Sequence, residues 1–247
     1  MNTPEAGPSS ITAKADWSVV GFALAYPTVF TVLYFVALAK QPQWLQQAVY
    51  AVGKVVQFSF PLVWAMSRQG WRPRWQAPRI GDVLLGVLPG LLLLGVAVAA
   101  YHLWLKPAGL FAGPAEAVRE KAAGFGVAGA GTFIALAVFY CLGHSALEEY
   151  YWRWFTFGQL RKLSSFAWAA GVSSVGFMAH HVLVLAVYFG WDSPLTYGFS
   201  LAVAVGGLIW ALIYEKTGNL WANWLSHALI DAAIFVVGYD ILLTTAR

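Results

Sequence analysis

Apolar residues run along this chain in long, nearly unbroken stretches separated by short polar segments. That pattern predicts helices that cross a bilayer, neither the apolar stripe of a surface helix nor the alternation of a half-buried strand. Candidate spans cover about 17–39, 45–66, 81–105, 130–152, 166–190, 196–214 and 219–243. Within them, Pro27, Pro61, Pro89 and the pair Gly86 and Gly90 read as kinks or points of close helix approach. Trp17, Trp44, Trp104, Trp152, Trp154, Trp168, Trp191 and Trp221 fall near span ends, where an aromatic belt is expected. The expected fold is an all-α polytopic membrane protein of about seven transmembrane helices.

Composition agrees. Hydrophobic residues make up 60% of the chain and charged residues 11%, against about a quarter charged in a soluble domain, and the mean hydropathy is +0.64. The net charge of +4 sits in loops, where it sets topology and gives no sign of nucleic-acid binding. A single cysteine, Cys141, excludes an internal disulfide framework and a cysteine-based zinc site. The polar segment 1–16 lacks a basic start and precedes a run too long for a signal peptide, so the first span reads as a retained helix.

Two basic segments set the orientation. Arg68, Arg72, Arg74 and Arg79 lie between spans two and three, and Arg153, Arg161 and Lys162 follow span four. Both fall on one side of a seven-span arrangement. The positive-inside rule makes that side cytoplasmic, with the N-terminus inside and the C-terminus outside. A bacterial inner (plasma) membrane is the expected location. Residues 113–126, on the other side, read as a short interfacial helix.

Ionisable residues concentrate in the late spans. Span four ends in Glu148, Glu149 and Arg153, with His144 one turn earlier. Span five carries Phe177, His180 and His181, and span seven carries Asn223, His227 and Asp231. Each ionisable group deep in a bilayer costs roughly 2.5–3.5 kcal/mol on insertion scales, so several together need a shared reason. At helical rise, and with span four extended to about Gln159, Glu148 lies roughly 16 Å from the basic side, His181 about 24 Å, His227 about 12 Å and Asp231 about 18 Å. Overlapping depths on separate helices point to one polar site in the bundle formed by the last four spans. Lys54 in span two either snorkels or pairs with a carboxylate in the bundle.

Spacing adds detail. Glu149 and Arg153, four apart, pair on one helix face, while Glu148 points about 100° away with His144 on its own face. Asp231, four after His227, is placed to fix that imidazole's tautomer. A carboxylate in a low-dielectric cavity is a competent general base toward water, and facing histidines share the proton or donate to a developing oxyanion. These are the parts of a hydrolase that needs no serine or cysteine nucleophile. The same side chains, Glu148, His181 and His227, form a possible Zn²⁺ set, although no HExxH signature is present. Each residue also has a plainer reading. Glu148 and Glu149 can be a solvated helix end, Arg153 can be structural, and Phe177 can be ordinary core. Of His180 and His181 only one is expected to face a given site.

Glu148-Glu149-x-x-x-Arg153, then Phe177-x-x-x-His181 within SSVGFMAHH, then His227-x-x-x-Asp231 within GNLWANWLSHALID resemble the motifs of the CPBP family. These are the CAAX-processing and bacteriocin-processing (Abi) intramembrane proteases, related to the type II CAAX prenyl endopeptidase. The resemblance covers about residues 130–237. It implies hydrolysis of a peptide bond within or at the edge of the bilayer, in a membrane-associated or lipid-anchored protein or peptide. By family likeness Glu148 and His181 activate water, His227 and Asp231 stabilise the oxyanion, and Glu149 and Arg153 hold the first motif in shape. Asparagine is common where this chain has Asp231, which favours orientation of His227 as the role of this carboxylate. The implied organisation is a polar tail (1–16), three N-terminal transmembrane helices and a loop (17–126), a catalytic membrane core (127–243) and a short tail (244–247). A proton- or solute-coupled transporter is the main alternative, disfavoured by the lack of internal repeats. A non-catalytic immunity or scaffold member of the same fold is the other.

Overall fold

The structure is a computed structural model that describes residues 16–73 and 76–243. Arg74, the tail up to residue 15 and residues 244–247 lie outside the described residues. Every regular element among those described is helical: α1 (Trp17–Ala37), α2 (Gln43–Arg68), α3 (Ile80–Leu105), α4 (Ala112–Gly124), α5 (Ala130–Leu163), α6 (Phe166–Phe189), α7 (Pro194–Thr217) and α8 (Trp221–Leu243). All but α4 are long and apolar enough to span a bilayer. The chain is a multi-pass integral membrane protein, as its apolar runs predict.

Local signals set the helix ends. Asp16 caps α1 by accepting from the Ser18 amide at 2.9 Å, a bond that holds its carboxyl below the usual value. Ser165 and Ser193 cap α6 and α7, and Pro194 opens α7 with its φ already helical. Gly218 closes α7 in the left-handed region (φ 67°), where a side chain would be strained.

The two ends of the bundle differ. At one end Lys162 Nζ donates to Gln69 Oε1 (3.1 Å), Gln69 pairs with Gln159 (2.9 Å) and Arg161 with Glu215 (2.8 Å). The basic segments after α2 and at the end of α5 therefore meet. At the other end α4 forms where a short helix was expected and lies across the mouth of the bundle. Lys121 sits over the rings of Tyr34 (4.9 Å), Phe35 (5.4 Å) and Phe125 (5.1 Å), and burial among them pushes its ammonium pKa down. Arg119 Nε donates to the Ile241 carbonyl (3.3 Å), and Lys106 pairs with Asp240 (2.5 Å).

The fourth span departs from expectation. Instead of ending near residue 152, α5 continues to Leu163. Tyr151, Trp152, Phe155 and Phe157 are almost wholly buried, so the helix at this level is enclosed on nearly every side. The charges at 148–153 are interior, as their overlapping depth with the later histidines implied, and not a solvated helix end. Trp152 accordingly belongs to the core and not to an aromatic belt, with its ring parallel to that of His180 at 5.8 Å. Wider π-type turns at Phe139–His144 and Tyr150–Phe157 flank the short α-helical stretch Ser145–Glu149.

Helices α3 and α8 approach most closely, because α3 offers glycines there. A Cβ on Gly86 would lie 2.5 Å from the Ala222 carbonyl oxygen, and one on Gly90 2.7 Å from a Leu229 methyl. By contrast α2 stands off its neighbours and is joined to them by side chains: Tyr26 to the Gly53 carbonyl (2.9 Å), Tyr50 to Tyr140 (3.2 Å) and the Phe60 ring against Phe155 (5.6 Å). Gly86→Leu is expected to cost about 1–3 kcal/mol by overpacking this contact, whereas Gly95→Ala, with open space around it, is expected to be neutral. Thermal unfolding of the two variants in one detergent checks this.

Candidate active site

The first residue to place is Glu149, which carries a carboxylate into the bundle centre with none of its surface exposed. Its Oε1 accepts from His227 Nδ1 at 2.7 Å and lies 3.2 Å from Arg153 Nη1, the i,i+4 partner read from spacing. The Arg153 guanidinium is itself enclosed, with the Phe177 ring 4.6 Å and the Trp210 ring 4.7 Å from its central carbon. Trp210 also stacks on the His227 imidazole (4.4 Å, 18°) and donates from Nε1 to Ser226 Oγ at 2.7 Å. Asn223 Nδ2 donates to the Trp210 carbonyl (2.7 Å), which completes the setting of that indole. Helices α5, α6, α7 and α8 each contribute to holding one imidazole.

Orientation of His227 thus comes from Glu149 and not from Asp231. Asp231 Oδ1 is 3.7 Å from the other ring nitrogen, Nε2, a charge contact beyond hydrogen-bond length. Helix geometry permits the i,i+4 pair, but the contact across to α5 is shorter and takes Nδ1.

Glu148 points a different way, as its 100° offset requires. Its carboxylate is ringed by His227 Nε2 (3.6 Å), His144 Nε2 (3.8 Å) and His180 Nε2 (4.0 Å). His181 lies one step further out within range of the same charge, its ring 4.2 Å from that of His180. Of the pair, His180 therefore comes nearest to the carboxylate, where the motif pointed to His181. His181 Nδ1 donates to the Phe177 carbonyl at 2.8 Å, which leaves Nε2 free to accept a proton. Phe177 sits edge-on to the His181 ring at 4.8 Å as well as under Arg153, so one phenyl ring packs against both. All nine residues singled out from sequence gather here.

Residues 130–233 match the family model described as "Rce1-like: Type II CAAX prenyl endopeptidase Rce1-like". No curated protein matches the chain, and no solved structure does.

The matched segment contains α5 through most of α8 and leaves α1 to α3 outside. Two residues that sequence reading left unassigned enter from there. Phe58 of α2 packs edge-on against the His144 ring (6.2 Å), and Lys54 Nζ lies 5.4 Å from the Phe58 ring. Nothing in the spacing of α2 signals this, because the contact depends on which helix becomes its neighbour.

Donor chemistry for a metal is present, since His181 and His227 each have Nδ1 engaged and Nε2 left over, that of His227 3.6 Å from Glu148. Yet among the described residues no three His, Cys, Asp or Glu side chains converge where one ion could sit.

Removing Arg153 leaves Glu149 a buried charge without its cation. Arg153→Met is expected to cost about 3–5 kcal/mol, and the double variant Arg153→Met with Glu149→Gln to recover part of that loss. Denaturation of the single and double variants in micelles measures the difference.

Proposed function

We propose that this chain is an intramembrane endopeptidase in which Glu148 and its histidines activate water to cut a peptide bond of a membrane-associated or lipid-anchored protein. The observation that carries the reading is a carboxylate held at mid-span inside a ring of imidazoles, with no lysine or arginine within 4.0 Å among the described residues. The similarity of residues 130–233 to the model of a prenyl endopeptidase family supports the same class of chemistry. Residues 127–243 form the catalytic core in this reading, and the basic end of the bundle faces the cytoplasm.

Water bound by Glu148 loses a proton to that carboxylate or to His181 Nε2 as its oxygen attacks the scissile carbonyl carbon. Negative charge then develops on the carbonyl oxygen. His227 donates to it from Nε2, which requires both ring nitrogens to carry protons. The carboxylates of Glu148, Glu149 and Asp231 around that ring are counterions for the charged form. Collapse of the tetrahedral intermediate breaks the C–N bond, and the abstracted proton passes to the departing amine, giving a carboxylate and an amine. Glu149 and Arg153 touch no substrate in this scheme. They position His227, with Trp210 and Phe177 as the walls. A Zn²⁺ ion held by Glu148, His181 and His227 would supply Lewis acidity, although among the described residues no three such side chains converge on one ion position.

The test compares peptide termini in membranes and medium of cells expressing the wild type or Glu148→Gln at equal abundance. New termini found only with the wild type are expected, with cleavage in the variant at least about 10²-fold lower. Identical termini in both would remove the proteolytic reading. Glu149→Gln is expected to lower the rate by about 10- to 100-fold through loss of His227 orientation, while Asp231→Asn keeps activity within about tenfold. Loss in Asp231→Asn as complete as in Glu148→Gln would show that Asp231 itself acts on the reacting atoms.

A further inference from the structure

Helix α2 carries an ammonium group at mid-membrane that the site described above does not use. Lys54 Nζ has one hydrogen-bond acceptor, Gln57 Oε1 at 3.2 Å, and lies 5.7 Å and 5.4 Å from the rings of Tyr50 and Phe58. An ammonium has three donors. Among the described residues no carboxylate comes within 4.0 Å of it, since the close partners of Glu148 are His144, His180 and His227. Gln57, its one partner, is itself buried. Lys54 itself is half-buried; a charge at this depth calls for a counter-ion, and the described residues supply none in contact.

Position narrows what that counter-ion is. Counted from the basic end at helical rise, Lys54 along α2 and Glu148 along α5 both lie roughly 21–22 Å in. The groups between them are the rings of Phe58, Tyr50, Tyr140 and His144. Phe58 packs on His144, Tyr140 on His144 (4.7 Å), and the hydroxyls of Tyr50 and Tyr140 meet at 3.2 Å. Contacts followed through Phe58 and His144 bound the distance from ammonium to Glu148 at about five residues of extended peptide, at 3.3–3.6 Å each. The seam that holds Lys54 is made of side chains, because α2 stands off α5, so it can part around a peptide without breaking helix–helix backbone contact.

We propose that Lys54 is a carboxylate-binding subsite, which receives an anionic group of the peptide being cut within about five residues of the scissile bond. This rests on the endopeptidase reading of the preceding subsection and adds to it a choice of substrate. A compact ammonium is a point charge suited to a carboxylate, and a peptide has two sources of one: its C-terminus, or an Asp or Glu side chain. With the C-terminus as the source, Lys54 sets the distance from the chain end to the cut. With a side chain as the source, it selects an acidic residue at that distance.

The experiment uses the full chain in liposomes and a library of lipid-anchored peptides prepared with free and with amidated C-termini, each with and without acidic side chains. Wild type is expected to cut members that carry a carboxylate within about five residues of the scissile bond at least tenfold faster than neutral amidated members. Lys54→Met is expected to bring that ratio close to one, and Lys54→Arg to keep it. A ratio is insensitive to the amount of folded protein, so a partly misfolded Lys54→Met still reports. Preference for free acids alone identifies the C-terminus as the source, and preference for amidated members bearing Asp or Glu identifies the side chain. Equal cutting of all members by the wild type, or an unchanged ratio in Lys54→Met, overturns the subsite. No cutting of any member by the wild type, matching Glu148→Gln, instead overturns the proteolytic reading beneath it.

Discussion

The Glu149 carboxylate is the group on which the interior depends. Buried without exposure, it brings together an arginine one turn along its own helix and a histidine from α8. A lone carboxylate in that setting would be intolerable, so its partners are obligatory and their positions are tightly constrained. Arg153 needs a home for its own charge and finds it between the Phe177 and Trp210 rings. Trp210 then stacks on the same His227 that Glu149 holds. The arrangement closes on itself: each member satisfies one neighbour and constrains another, across four helices. Glu148, the adjacent residue, inherits a fixed direction without spending its own oxygens on support.

Much of this was legible in the chain before any coordinates. Apolar runs disclose the spans, because lipid tolerates few other sequences, and i,i+4 spacing discloses the Glu149–Arg153 pair. Three short motifs on separate spans disclose that a polar site exists and which helices build it. Failures came where an answer depended on neighbours. Span four was drawn to end near residue 152 because depth along one helix says nothing about what surrounds it. Asp231 looked like the partner of His227 because the nearer carboxylate belongs to another helix. His180 looked redundant beside His181 because one helix face seemed to admit only one of them, whereas His180 is the one that comes within 4.0 Å of the Glu148 carboxylate. Lys54 could not be ranked at all: its nearest groups, Tyr50, Gln57 and Phe58, lie on its own helix, and whether a carboxylate reaches it depends on how α5 packs. Periodicity speaks for faces, and only packing speaks for partners.

The N-terminal and C-terminal halves join by different means. Contact between α3 and α8 is steric, set by glycines that admit backbone. Contact between α2 and α5 is aromatic, set by rings and hydroxyls that meet at their tips. The first kind is rigid and the second adjustable, because side chains change rotamer without disturbing helical hydrogen bonds. A bundle with one fixed wall and one yielding wall keeps its polar centre intact while leaving a side through which a chain can pass.

The wider turns of α5 carry a consequence of another sort. An α-helix advances 3.6 residues per turn, so one residue more or fewer rotates everything beyond it by about 100°. Between Phe139 and Phe157 the helix departs twice from that pitch, and the directions of Glu148, Glu149 and Arg153 follow from how many residues each departure holds. Descendants of this chain are therefore free to exchange many side chains in that interval but not to gain or lose a single one. Here inheritance acts on length, and an insertion harmless in the loops would turn the two carboxylates toward each other's places.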